Sequence, residues 1–429
     1  MSERKKLWSG DVPETWKVAP LKHCIAFRSD SLSEGTNPDY WFRYVDIGSV
    51  TACSGVTGYA EMAFRDAPSR ARKRVRCGDT IVSTVRTYLK AIARIEDDED
   101  VIVSTGFAVL EPCEFDSLYL TFLICSDLVC EEIERRSWGI AYPAISETSM
   151  SSIIVPIPPL FEQQLIADHL RRACAKLDSA CSVLERQLQT LDDYRKSLIQ
   201  ETVTKGLDLT VDMKPSGYEY LGSIPSTWGM SPLLYLGEMQ NGISKDGDSF
   251  GSGYPFVSYG DVYRNVFLPR AVEGLVESNS EERYRYSVKK NDAFFTRTSE
   301  TIDEIGFASV CLESIENATF AGFLIRFRPN TCKLNMRFAA YYFRSENLRA
   351  YFAREMVSVT RASLSQNLLG RLVVPLPPLD EQERIANYLD SKYSVVDRLI
   401  AGKRKQLETL RAQRQSLIYE YVTGKRRVV

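Results

Sequence analysis

The chain has 429 residues, of which 44% are hydrophobic and 26% charged, and its formal charge is −2. That length allows two or three domains, and the composition excludes a disordered chain, a membrane-spanning bundle and a general basic coat for nucleic acid. Ten cysteines without a C-x-x-C pair, and only two histidines, His23 and His169, exclude a zinc framework. With no apolar stretch behind the N-terminal charges of MSERKKLWSG, they point to a cytosolic protein with reduced thiols.

In chain order, the first patterned segment is Gly10-Asp-Val-Pro-Glu-Thr-Trp16, which returns as Gly222-Ser-Ile-Pro-Ser-Thr-Trp228. At the same offset Tyr44-Val-Asp-Ile-Gly48 returns as Phe256-Val-Ser-Tyr-Gly260, so the repeat is a whole domain. Between the landmarks the copies diverge, as one scaffold with two variable surfaces would. Ser69-Arg-Ala-Arg-Lys-Arg-Val-Arg76 gathers Arg70, Arg72, Lys73, Arg74 and Arg76, and a loop with Arg86, Thr87, Tyr88 and Lys90 follows soon after. Such side chains grip phosphates and reach base edges, although a charge run is equally a solvated face. Thr80 to Thr84, Val101 to Ser104 and Phe107 to Leu110 are expected strands, Leu118 to Arg136 is expected to be helical, and Tyr142 lies just beyond.

Val155 to Thr204 carries the strongest signal, because it returns as Val374 to Thr423 without a gap, identical at 22 of 50 positions. Each copy opens on prolines, Pro158-Pro159 and Pro377-Pro378, which start a helix but cannot sit inside one. Leu170, Leu177, Leu184, Leu191 and Leu198 recur every seventh residue, with Ile166, Ala173 and Ala180 between them, which predicts a coiled-coil seam. At 1.5 Å per residue a helix of about forty residues would be roughly 60 Å long, a spacer. Cys174 and Cys181 on it are expected to be small buried thiols.

Residues 207–216 form the expected connector into the second copy. There, Ala293 to Thr296, Ala308 to Cys311 and Phe323 to Phe327 are the expected strands, followed by a helical run from Met336 to Met356. The loop with Arg297, Thr298, Ser299, Glu300 and Thr301 is dense in groups that can read base edges, and Arg361 takes the position of Tyr142. Arg264, Tyr254 and Tyr259 are weaker candidates, with strand packing as the alternative. Asp380 with Glu383 fits a capping pair for the second long helix. Ile385, Leu389, Val396, Leu399, Leu410 and Leu417 continue its stripe, with Lys403 and Gln406 interrupting it. The tail from Lys425 is expected to fray.

The fold expected is therefore α+β, with variable domains at 1–154 and 207–373 and long helices at 155–206 and 374–429 pairing as an antiparallel coiled coil. A Walker loop, a G-x-G-x-x-G turn after a strand and an H-E-x-x-H helix are all missing from the sequence. The Pro-Pro-Leu motifs lack the flanking residues of the D/N-P-P-Y/F loop of adenine methyltransferases, and so read as helix starts.

The P-x-P-P-L-x-E-Q-x-x-I-A helix starts, the V-T-K-G and V-T-G ends and the G-x-I/V-P-x-T-W openings, all duplicated, resemble those of type I restriction-modification specificity subunits. The resemblance spans nearly the whole chain. It implies two target-recognition domains, each reading half of a split DNA sequence, held apart by the paired helices. It also implies two modification (methyltransferase) subunits carrying S-adenosylmethionine and restriction subunits using ATP and Mg, with no cofactor, catalysis or membrane contact by this chain. Its rivals are a coiled-coil scaffold carrying two peptide-binding domains, a fused enzyme and an inactive relic.

Overall fold

The structure, a computed structural model, describes residues 12–53, 55–97, 99–298, 305–355 and 363–428. It divides into two compact units, Met1–Glu185 with Arg404–Val429, and Arg186–Lys403.

The first unit is built on an antiparallel sheet in the order Ile25–Phe27, Phe107–Pro112, Thr80–Ser83, Ile92–Arg94. Phe107, Ala108, Val109 and Leu110 are all fully buried, so the run is apolar on both faces, as a covered central strand requires. A second sheet has the order Ala60–Ala63, Trp41–Val45, Val101–Ser104, Ala71–Arg74, and its inner pair, 41–45 with 101–104, is parallel. Helix Ser117–Cys125 is buried on most sides, and the Asp116 carboxylate accepts from the amides of Leu118 and Tyr119 at its start.

The second unit repeats this plan. Its antiparallel sheet runs Gly237–Asn241, Leu324–Pro329, Ala293–Thr296, Ala308–Val310, and a three-stranded sheet runs Leu275–Val276, Phe250–Val257, Thr319–Phe320, in which the central strand pairs parallel with Thr319–Phe320. Among the described residues it lacks a counterpart to the edge strand Ala71–Arg74. In each unit the opening segment is stitched to the strand before a long helix: Lys17–Pro20 pairs with Ile154–Ile157, and Gly229–Pro232 with Val373–Leu376.

The long helices are Leu160–Lys205, of 46 residues, and Leu379–Val422, of 44. Their deeply buried apolar positions are Ile166, Ala167, Leu170, Cys174, Cys181, Ile199 and Val203 on the first, and Ile385, Ala386, Leu389, Val396, Ile400, Leu407, Ile418, Tyr421 and Val422 on the second. Between the regularly spaced leucines of the first helix, Cys174 and Cys181 are deeply buried, whereas Ala173 and Ala180 are half-buried like Leu177 and Leu184.

Four expectations are corrected. The helical run after Leu118 is two helices, Ser117–Cys125 and Asp127–Arg136, broken at buried Ser126, whose hydroxyl donates to the Leu123 carbonyl at 2.6 Å. Its counterpart likewise breaks, between Met336–Tyr342 and Glu346–Glu355, where the Ser345 hydroxyl donates to the Tyr342 carbonyl at 2.7 Å. Asp380 does not cap: it lies inside the helix, 3.6 Å from Arg384, and Gln382 organises the helix start instead. The tail is held, since Arg427 bonds both oxygens of Glu162 at 3.0 and 3.1 Å and Val428 packs on the core. Met213–Pro215 in the connector pairs with Ser223–Pro225 as a short hairpin.

Candidate nucleic-acid interface

In the first unit two loops far apart in sequence are zipped together. Val85 and Ala144 form a β-bridge, the Arg86 amide donates to the Pro143 carbonyl at 2.7 Å, and the Ile145 amide donates to the Thr84 carbonyl at 2.9 Å. This brings Tyr142 against Arg86, with the guanidinium 5.0 Å from the ring centroid. Arg86 and Lys90 both take left-handed backbone angles, φ 51° and 48°, on either side of the tight turn Thr87–Leu89. Tyr88 and Tyr142 stand 55% and 64% exposed. Thr87, by contrast, is buried against the Ser137 hydroxyl at 2.9 Å, and Lys90 turns toward Asp127 and Glu134, 3.7 and 3.9 Å away. The outward chemistry of this loop is therefore Arg86, Tyr88 and Tyr142.

The second unit has the same zipper: Thr298 bridges Ser363, and the Leu364 amide donates to the Arg297 carbonyl at 2.7 Å. Arg297 and Thr298 are half-buried. Ser299, Glu300, Thr301 and Arg361 lie outside the described residues. Arg264 is exposed at the end of helix Tyr259–Arg264. Tyr254 carries the Arg283 guanidinium 3.8 Å from its ring centroid, and Tyr259 stacks on Tyr263 at 5.9 Å.

The basic run of the first unit is the edge strand Ala71–Arg74, and its charges are not equivalent. Lys73 is bound to Glu147 at 2.8 Å, Arg72 lies over Phe64 at 4.8 Å, and Arg74 lies over Tyr40 at 5.8 Å with Asp30 at 4.0 Å. Arg70 and Arg76 are exposed at the two ends. Among the described residues no His, Cys, Asp and Glu side chains group to hold a metal ion, and no helix is long and apolar enough to cross a membrane.

The repeated E-Q of the helix starts has a role that sequence alone does not disclose. Glu162 accepts the Trp16 indole N–H at 2.9 Å, and Glu381 accepts that of Trp228 at 3.1 Å. Gln163 accepts the Asp116 amide at 2.7 Å and donates to the Pro158 carbonyl at 2.9 Å; Gln382 does the same with Asn335 and Pro377 at 2.7 and 2.8 Å. Each pair therefore locks a domain's opening tryptophan, and the N-cap of the buried helix Ser117–Cys125 or Met336–Tyr342, to the base of a long helix. The paired recurrence of W and E-Q is the signal in the sequence. Sequence reasoning also misses Trp138 and Ile140, 74% and 105% exposed in the loop that carries Tyr142; the apolar run W-G-I-A-Y-P outside any expected element is their signal.

Along the leucine stripe Leu170, Ile385 and Leu389 are fully buried and Val396 nearly so, while Leu177, Leu184, Leu191, Leu198, Leu410 and Leu417 are half-buried; Leu399, expected on the stripe, is exposed, and its neighbour Ile400 is buried instead. In the first unit the Arg414 Nε donates to Asp178 at 2.8 Å and Arg411 pairs with Glu185 at 2.7 Å. In the second, Arg195 donates to Asp397 at 3.2 Å.

Comparison with known proteins agrees with this duplicated scaffold. The type I restriction modification DNA specificity domain matches residues 72–187 and 225–409, more than half of the chain. The putative type I restriction enzyme MjaX specificity subunit of Methanocaldococcus jannaschii is 22% identical, over 99% of this chain and 96% of its own length. The MjaVIII specificity subunit of the same organism is 23% identical, over 73% of this chain and 71% of its own. A solved structure from work on complex assembly and conformational transition of the type I R-M system shares the fold, with a TM-score of 0.66 and 22% identity over 97% of this chain and 100% of that one. The chain thus belongs to the type I restriction-modification DNA specificity family and is a specificity subunit of such a system.

Proposed function

We propose that each recognition domain reads one half of a bipartite, asymmetric double-stranded DNA target, and that the long helices pair as an antiparallel coiled coil that sets the gap between the halves. One observation carries this reading. Arg414 meets Asp178 in one unit, while their counterparts in the repeat, Arg195 and Asp397, meet in the other. A two-fold pairing requires that reciprocity, with position i on each helix touching position j on its mate. Two identical partners need a scaffold of this kind, and two methyltransferase subunits dock on it. S-adenosylmethionine belongs to those subunits, ATP and Mg to the restriction subunits, and this chain holds none of them. It acts in the cytoplasm, where the DNA is.

The half-sites differ because the reading loops differ: Arg86, Tyr88 and Tyr142 in the first domain, and Arg297, Thr298 and the residues up to Thr301, with Arg361, in the second. The exposed Arg70 and Arg76 add phosphate binding to the first domain. Methylated adenines mapped in the DNA of cells expressing this chain with its modification subunit test the proposal. The expected outcome is one bipartite motif with a fixed gap and unlike halves. A contiguous motif, or one with a variable gap, would refute it.

A further inference from the structure

Between helices Asp127–Arg136 and Glu147–Ser151 the first unit carries a closed loop with an apolar tip. Trp138 and Ala144 bond each other in both directions, at 3.0 and 2.9 Å, so residues 139–143 project from a pinned base. At the apex Ile140 is fully exposed, at 105%, between the small residues Gly139 and Ala141. Trp138 and Tyr142, 74% and 64% exposed, form its shoulders, and Arg86 sets a positive charge under Tyr142. A soluble protein does not hold three large apolar side chains in water on a fixed loop without something to cover them.

A protein partner would bury roughly 800 Å² on each side. This tip is too narrow to supply that, and the guanidinium at its base suits an anionic occupant. Duplex DNA fits both features, because apolar wedges enter between base steps while cations meet the phosphates. Resting on the reading of the first domain as a DNA reader, we propose that Ile140 is a wedge that partly unstacks one base step of the first half-site, with Trp138 and Tyr142 covering the bases it opens. Pyrimidine–purine steps unstack most easily, so the wedge selects sequence through deformability as well as through direct contact. In the second copy the aligned residues are Val357, Ser358, Val359, Thr360 and Arg361, without an aromatic ring, so the distortion is confined to one half-site.

The test uses the full chain assembled with its methyltransferase subunits, on duplexes carrying the mapped target with 2-aminopurine placed in turn along both halves. Emission is expected to rise several-fold at one step, in the first half only. Ile140→Ala should abolish that rise and weaken specific binding about tenfold, with the salt dependence of binding unchanged, while Ile140→Leu keeps both the rise and the affinity. A wild-type complex that binds its target with no rise anywhere, an Ile140→Ala complex that binds as tightly as wild type, or a variant that loses its methyltransferase subunits rather than its DNA would each overturn the wedge and leave the DNA-reading role standing. A wild-type complex that selects no bipartite target would overturn both.

Discussion

The Nε of Arg414 donates to Oδ1 of Asp178 at 2.8 Å, and the same arginine reaches the Cys53 carbonyl at 3.0 Å. Arg414 is mostly buried, its side chain 14% exposed, whereas Asp178 is 47% exposed, so water screens the pair. Arg414→Met should destabilise the chain by about 1–2 kcal/mol, and a double-mutant cycle with Asp178→Ala should give a coupling of about 0.5–1 kcal/mol. Denaturant unfolding of the four proteins measures it. Zero coupling would deny that this pair contributes to holding the helices.

Acid should weaken the lock between Trp16 and Glu162. Burial disfavours the Glu162 carboxylate, but the Trp16 indole and the Arg427 guanidinium outweigh it and bring its pKa below the usual 4.5. A carboxylate whose pKa is depressed by folding stabilises the fold fully above its unfolded value and loses that contribution as pH falls through the folded one. Trp16→Phe should therefore cost about 1–2 kcal/mol near neutrality, and the gap from wild type should narrow below about pH 4.5. Unfolding curves taken from pH 7 down to pH 3 decide it, and a gap that widens on acidification contradicts the assignment.

Ends and middle of the basic strand should behave differently on DNA. Replacing Arg70 and Arg76 with alanine should weaken binding to every duplex and reduce the slope of log K against log salt by about 0.9 for each phosphate left without its cation. Lys73→Ala should change that slope less, because its ammonium is already bound to Glu147. Equal effects from the three positions would mean that Lys73 exchanges its partner for phosphate in the complex.

Much of the architecture is legible because it is repetition, and repetition survives in letters. The Val155 to Thr204 duplication predicts both long helices, and the strands around Thr80, Phe107, Ala293 and Leu324 stand where their apolar runs are. What stays hidden depends on partners remote in sequence. Trp16 and Glu162 are 146 positions apart, and Arg86 meets Tyr142 only because Val85 bridges Ala144. An evenly spaced leucine ladder does not show on which side the intervening step of four falls, so the letters alone do not single out Cys174 as more deeply buried than its neighbour Ala173. The tail reads as frayed because Arg427 and Val428 have no local partner, whereas Glu162 and the core of the first unit supply remote ones.

The helix ends offer a sharper substitution test. Gly424 and Gly206 have φ of 75° and 78°, and a Cβ there would meet Pro13 at 2.4 Å in the first case and Glu381 at 3.0 Å and Trp228 at 3.1 Å in the second. Alanine at either site should cost more than about 1 kcal/mol, and Gly424→Ala should cost more, since a proline ring yields less readily than the end of a glutamate. Thermal unfolding compares them; an alanine tolerated at 424 would mean that the Pro13 segment can move away.

If the helices set the gap, lengthening both by one heptad, which preserves the seam, should move the half-sites apart by about 10.5 Å, or about three base pairs at 3.4 Å each. Methylation mapping of cells carrying the lengthened chain reads the new gap directly. An unchanged gap would assign the spacing to the partner subunits.

Residues 404–428 complete the core of the first unit, where Ile418, Tyr421 and Val422 pack beside Trp16 and the Tyr119 hydroxyl reaches the Val422 carbonyl at 3.3 Å. The ribosome makes those residues after the entire second unit. The earlier-born domain must therefore wait, its interior open, until translation has passed the later one, which is continuous in sequence and can close first. Nascent chains released before Leu407 should carry a folded second unit and an unfinished first one, and a premature stop between Arg404 and Val422 should first injure the unit that holds Trp16.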